Sequence, residues 1–355
     1  MRSAANTLLG NAQLPPGTQR DVLIDPLIDG VTGVQSNATQ AIGAQLVRLI
    51  GQQHPRFSVK PFNAANLASG PLVLIGTLTG VNSERKAEGR REAYRIWLTL
   101  ADMRTGRIVG KGTAFALSQG VDTTPLPLFA DAPALSEDEA TNGYINTCHG
   151  TKVGDPIHPR YVDHIIVATT IAEGADAYAA GQYRDALELF QTALASPGGN
   201  QLRVHSGLYL ANLRLGRSAA AAQAFGSIVE QGLDGRRLSV KVLFRPGTST
   251  LWSLPGPTAP PHAMWMREIA TRAATRDSCL DVVGHTSFTG AEPVNERLSL
   301  MRAEVVKKEL QRRAPKLGPR LRSAGMASRQ MLIGNGRDDL SDALDRRVEF
   351  IVRGC

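Results

Sequence analysis

The chain has 355 residues, of which 42% are hydrophobic and 20% charged, with a formal net charge of +8. That length holds two or three domains, each able to bury its own core, and no apolar run approaches the ~18 residues needed to span a bilayer. The positive balance suits anionic polymers or lipid head groups; nucleic acid is not expected, because basic and acidic residues alternate, as at Glu309, Arg312 and Arg313, and aromatic residues reach only 5%.

Met1 to Thr7 lacks a charged stretch followed by an apolar one and has no lipobox cysteine, so neither an export signal nor a membrane anchor is expected in this chain. Residues 21–28 read as a short buried strand. Ser36 then caps a helix whose Ile42, Leu46, Leu49 and Ile50 fall at helical spacing. Residues 72–78, 93–100 and 108–116 read as three strands, joined by polar turns at 82–89 and 104–106. Gly30 and Gly33 have neither the spacing nor the lysine of a phosphate loop. Residues 1–118 thus form an αβ domain whose pattern loosely resembles the N-terminal domain of TolB and related envelope proteins.

Residues 119–160 are rich in Pro, Asp, Thr and Gly without periodicity, which predicts a linker or long surface loop carrying Cys148 as an exposed free thiol. His149, His158 and His164 fit no zinc spacing, so no metal is expected. Residues 161–234 predict two helical hairpins. The run from Gly181 to Ala193 resembles the second half of a tetratricopeptide repeat, with Ala186 and Phe190 at packing positions; Gly216, Ala221 and Phe225 echo it 35 residues later. With so few repeats, a spacer is favoured over a peptide-binding groove.

Beyond residue 239 the signals become more specific. A first strand is expected at 240–244, and an apolar strand at 280–283 runs into Gly284-His285-Thr286-Ser287-Phe288-Thr289-Gly290. A helix begins near Pro293, with Val294, Leu298, Met301 and Val305 as an apolar stripe packing on the sheet; Asn295 and Arg302 stand beside it, nearly two turns apart. A strand near 320–323 follows, then an alternating strand at 345–352 that opens with Arg346 and Arg347.

These spaced elements, over residues 239–355, resemble the peptidoglycan-binding domain at the C-terminus of outer-membrane protein A, which also occurs in peptidoglycan-associated lipoprotein and flagellar stator proteins. The resemblance implies an α/β (α+β) chain ending in a βαβαββ domain with a mixed sheet. It implies a non-catalytic periplasmic protein of a Gram-negative envelope that binds the diaminopimelate stem peptide without a cofactor. Ser287, Thr289, Asn295, Leu298, Arg302 and Arg346 would line that site, and other envelope proteins would dock on residues 161–234 and the N-terminal domain.

In the family, the position of Ser287 is usually Asp, which meets the ligand's free amine, while the arginine matching Arg302 grips its carboxylate. Serine here gives up roughly half the strength of a charge-assisted bond. Cys279 and Cys355 flank two strands of the same small sheet and are expected to pair, as suits an exported protein. Two rival readings are a protein scaffold with a degenerate, non-binding wall domain, and a hydrolase in which His285 activates Ser287; the latter lacks an evident orienting carboxylate.

Overall fold

A computed structural model describes residues 1–17, 19–135, 138–242, 244–245, 247–251, 261–337, 339 and 344–355. Its first part contains α1 (Arg2–Gly10), β1 (Arg20–Ile24), β2 (Ile28–Asp29), α2 (Asn37–Gln53), β3 (Phe57–Lys60), α3 (Ala64–Leu67), β4 (Leu72–Val81), β5 (Ala93–Asp102) and β6 (Arg107–Leu117). The strands form one mixed sheet in the order β3-β1-β4-β5-β6, with β2 also paired to β4. All ten residues of β4 are buried, as a central strand covered on both faces requires. Ser36 and Thr39 cap α2 reciprocally, satisfying two helix-end donors and contributing about 1 kcal/mol.

The N-terminal helix was not legible in sequence. Ala4, Ala5, Leu8 and Leu9 bury its inner face against β5 and β6. Gly112 permits the approach, since a Cβ there would lie 2.0 Å from the Ala4 carbonyl oxygen.

The segment 119–160 is not a structureless linker. It folds into α4 (Pro127–Asp131), β7 (Ala134–Leu135) and α5 (Glu139–His149), the last capped by Asp138, which accepts a bond from Thr141 N at 2.7 Å. The buried side of α5 is Ala140, Gly143, Tyr144, Thr147 and Cys148, too polar and too small for hydrophobic periodicity to register. Tyr144 locks it to the sheet through 3.0 Å hydrogen bonds with both backbone groups of Gly76. Cys148, expected at the surface, is fully buried beneath Thr99, and burial pushes its thiol up from the ordinary range.

Four helices follow, α6 (Pro159–Ala179), α7 (Tyr183–Ala195), α8 (Leu202–Arg214) and α9 (Ser218–Asp234). The first half of α6 packs Tyr161 and Ile165 on the N-terminal sheet, and its second half sends Val167, Ile171 and Tyr178 into the next core. That core joins the four helices to the C-terminal sheet, with Phe225 stacked on Trp265 at 5.5 Å and Trp265 Nε1 donating to Tyr209 Oη at 2.9 Å. The helices therefore share one interior with the sheet, unlike a spacer between separate bodies.

The C-terminal elements are β8 (Arg237–Val240), α10 (His262–Ala274), β9 (Cys279–Gly284), α11 (Glu292–Arg313), a 3-10 turn (Pro315–Arg320), β10 (Leu321–Gly325) and β11 (Val348–Arg353). The order βαβαββ expected from sequence is present, in a mixed sheet β10-β9-β11-β8-β7 whose last strand comes from upstream of the four helices. The first strand lies earlier than predicted, at Arg237–Val240 rather than 240–244, because it must pair with both β7 and β11; Leu243, also within that expectation, lies outside the described residues. No helix among the described residues is long and apolar enough to cross a membrane.

One buried acid carries a pH dependence. Asp25, behind β1, accepts a 2.7 Å bond from Tyr161 Oη, yet burial outweighs that bond and the nearby Arg203 and pushes its carboxyl up to about 7. A folded-state value above the unfolded one means that the cost of ionisation grows as pH rises from the unfolded value near ~4 and is complete above the folded value. Asp25→Asn is thus expected to stabilise the chain by about 1–3 kcal/mol at pH 8, with the gain fading toward pH 4. Urea melts of both proteins at those two pH values check this, and an equal difference at both would refute it.

Candidate functional site

The candidate site starts where β9 ends. Gly284 abuts α11 directly, since a Cβ there would lie 2.0 Å from Ser299 O. The loop that follows is pinned by backbone bonds, His285 N to Arg347 O at 3.0 Å and Thr286 N to Ala327 O at 2.9 Å. Ser287 is only 4% exposed, and its hydroxyl lies 2.9 Å from that of Thr289. From α11, Asn295 Nδ2 donates to Thr289 O at 3.2 Å and reaches Ser287 O at 3.4 Å, so one amide clamps both ends of the turn. The first turn of α11 has Ala291 at its N-cap and no side-chain cap.

The predicted stripe on α11 is inverted. Val294 and Met301 are exposed, Leu298 and Val305 are half-buried, and the inward face is Asn295, Ser299, Arg302, Ala303, Val306 and Leu310. The polar members of that face earn burial through hydrogen bonds: Ser299 Oγ accepts from Ala327 N at 3.1 Å and donates to Glu296 O at 2.9 Å.

Ser287, Thr289 and Asn295 thus come together. Arg302, 6% exposed, instead donates from Nε to Thr248 O at 3.2 Å and lies 5.0 Å from the Phe244 ring. Arg346 precedes β11 and donates to Asp339 O at 2.7 Å. Among the described residues, no hydrogen bond joins either arginine to Ser287, Thr289 or Asn295, and none joins His285 to Ser287.

Behind the loop lies a charged cluster that sequence reading missed. Glu349, fully buried on β11, accepts from Arg347 Nε at 2.7 Å, Arg237 at 3.0 Å and Ser239 Oγ at 3.1 Å. Its carboxylate lies 3.5 Å from His285 Nε2, an electrostatic contact at the limit of hydrogen bonding. Burial alone would raise Glu349, but His285, Arg347 and Arg237 outweigh it and hold the carboxyl well below the usual range. Burial lowers His285 against the pull of Glu349. The signal was available: Arg347 and Glu349 are two apart around apolar Val348, so both charges point to one side of a strand whose neighbours are core.

The N-terminal sheet also reaches the site. In the β4–β5 turn, the Arg90 guanidinium lies 5.7 Å from the Phe288 ring, and Arg91 N donates to Gly334 O at 3.0 Å. Asp345 receives Leu332, Ile333 and Gly334 N–H groups at 2.7 to 2.9 Å, fixing the partner loop.

No family model and no curated protein matches the chain. Among solved structures it is similar to the periplasmic domain of MotB (residues 64–256), at 19% identity over 34% of this chain and 63% of that one, with a TM-score of 0.27. It is similar to the cell wall anchor of the T6SS from Pseudomonas aeruginosa, at 17% identity over 37% and 97%, TM-score 0.29. A MotB-like protein from Desulfovibrio vulgaris gives 21% identity over 43% and 99%, TM-score 0.27. The chain thus spans less than two thirds of the first of these, and likenesses of this size do not place it in a family.

Proposed function

We propose that residues 239–355 bind the peptidoglycan stem peptide without catalysis, and that the chain tethers or scaffolds an assembly in the periplasm of a Gram-negative envelope. The observation that carries this reading is the Asn295 clamp, which holds the Ser287 and Thr289 hydroxyls beside the uncapped N-terminus of α11. Hydroxyls and a positive helix end suit a ligand rich in amides and carboxylates. Leu298 offers a half-buried apolar contact, while Arg302 and Arg346 supply guanidinium groups, of which Arg302 would take a carboxylate by exchanging Thr248 O. The four helices and the N-terminal sheet are then free to carry envelope partners. Purified sacculi should retain the protein at high salt, where diffuse attraction of a basic chain is screened beyond about 3 Å at ~1 M; release by salt alone would refute pocket binding.

The packing of Arg302 against Thr248 and Phe244 also favours a second reading, a scaffold whose wall-binding fold no longer binds. Arg302→Ala separates the two. If the site binds, muropeptide affinity is expected to fall about tenfold or more, from loss of a charge-assisted pair worth roughly 1.5–3 kcal/mol. If Arg302 only braces the 244–251 segment, calorimetry will show unchanged affinity and the melting temperature alone will drop.

A further inference from the structure

The edge of the N-terminal sheet carries a surface that peptidoglycan binding does not use. β6 is the terminal strand and, among the described strands, pairs with β5, while Arg107 at its start bridges Pro156. Its beginning is covered: Ile108 N donates to Asp155 O at 2.9 Å, Gly154 N to Ile108 O at 2.8 Å, and Gln13 N to Val109 O at 2.8 Å. Between residues 110 and 117, no strand among the described residues lies on its outer side.

Edge strands in proteins that stay alone are blunted by shortness, proline, bulges or charge. β6 is eleven residues long without proline, and its one register shift, opposite Leu100 and Ala101, sits at the covered end. Lys111, Thr113, Phe115 and Leu117 share one face. Phe115 is 45% and Leu117 78% exposed at the end of the strand.

Cations frame this apolar strip. The Arg85 guanidinium lies 4.6 Å from the Phe115 ring and the Arg95 guanidinium 5.2 Å from Trp97, while the Lys111 ammonium, 5.8 Å from Trp97, is turned to Cys148 O, Thr151 O and Thr151 Oγ1 at 2.6 to 3.1 Å. No acidic side chain among the described residues forms a salt bridge with either arginine, and Arg95 Nε is buried without a hydrogen-bond partner.

We propose that this edge binds an acidic β-strand of a partner protein, which pairs with β6 over residues 110–117 and lays carboxylates against Arg85 and Arg95. Strand addition places the incoming backbone about 4.8 Å outside β6, within reach of these long side chains, and main-chain bonds supply affinity while the face supplies selectivity. Charge argues against a second copy as occupant, because antiparallel pairing of β6 with itself sets the same cations against their images. A lipid surface would leave the row of backbone groups unused.

The test uses the full chain and two synthetic octapeptides, one alternating Glu and Val, the other Lys and Val. The acidic peptide is expected to bind in calorimetry, to weaken as salt rises, and to slow amide exchange at residues 110–117; the basic one is expected to do neither. Phe115→Asp and Arg85→Glu, both at exposed positions, should each weaken binding at least tenfold with an unchanged melting curve. The proposal fails if the acidic peptide leaves exchange at 110–117 unaltered or if both variants bind as well as the parent. It also fails if protection appears without peptide as chain concentration rises, the mark of self-pairing, or appears with anionic phosphatidylglycerol vesicles and not with peptide.

Discussion

Glu349→Ala is expected to destabilise the C-terminal part of the chain by about 3–5 kcal/mol, because it strands a buried guanidinium rather than merely deleting a bond. Arg347 is among the largest fully buried side chains, and its Nε has Glu349 as acceptor, with carbonyls of Leu344 and Gln330 taking the other nitrogens. Arg237 and Ser239 lose the same acceptor. Glu349→Gln keeps an acceptor and removes the charge, so it should fall between.

The pH dependence has a definite sign. A carboxyl held below its ordinary value stabilises the fold above the unfolded value, ~4.3, and the benefit is lost as pH falls through the folded value. The gap between parent and Glu349→Ala should therefore stay level from pH 8 to 5 and close only in stronger acid. Urea midpoints across that range measure it; an unchanged midpoint at pH 7 would mean that the cluster contributes nothing net.

Loss of the disulfide is expected to cost a similar amount. Cys279 and Cys355 are bonded, with Cα atoms 5.0 Å apart and a separation of 76 positions in sequence. Closing a loop of that length restricts the unfolded chain by about 4 kcal/mol in the chain-entropy model. The bridge also fastens the last residue to the start of β9, beside the Arg353 to Asp281 contact at 2.6 Å. Cys279→Ser should lower the urea midpoint in oxidising buffer to the value that the parent shows under reductant. Equal midpoints for the parent with and without reductant would show the bridge to be energetically idle.

Much of the architecture was written in local pattern. The Ser36 cap, the strands around Trp97, the paired hairpins holding Phe190 and Phe225, and the loop from Gly284 into α11 all announce themselves within a few residues. What escaped depends on distant partners. α1 begins at an uncapped Met1 and is buried only because Gly110 and Gly112 are small. Helix α5 hides behind Gly143, Thr147 and Cys148, whose burial follows from hydrogen bonds and close approach rather than apolar periodicity. On α11 the error has a chemical cause: Asn295, Ser299 and Arg302 bond inward to loops at 287–289, 327 and 248, and that displaces Val294 and Met301 to the outside. The paired hydroxyls and the clamp were legible as residues; the direction of Arg302 was not, since it depends on where residues 244–248 lie.

The pairing of β7 with β8 decides how the chain can be cut. A fragment starting at residue 239 would open inside β8, discard Ala134 and Leu135 from its flank, and lose Phe225 and Tyr209 from around Trp265. Such a piece would expose a raw strand margin and an oily wall at once, the two ingredients of precipitation. An excerpt begun near residue 120 would keep β7 on β8 yet bare Tyr144, Tyr161 and Ile165, which pack on the N-terminal sheet, so neither cut leaves a closed interior.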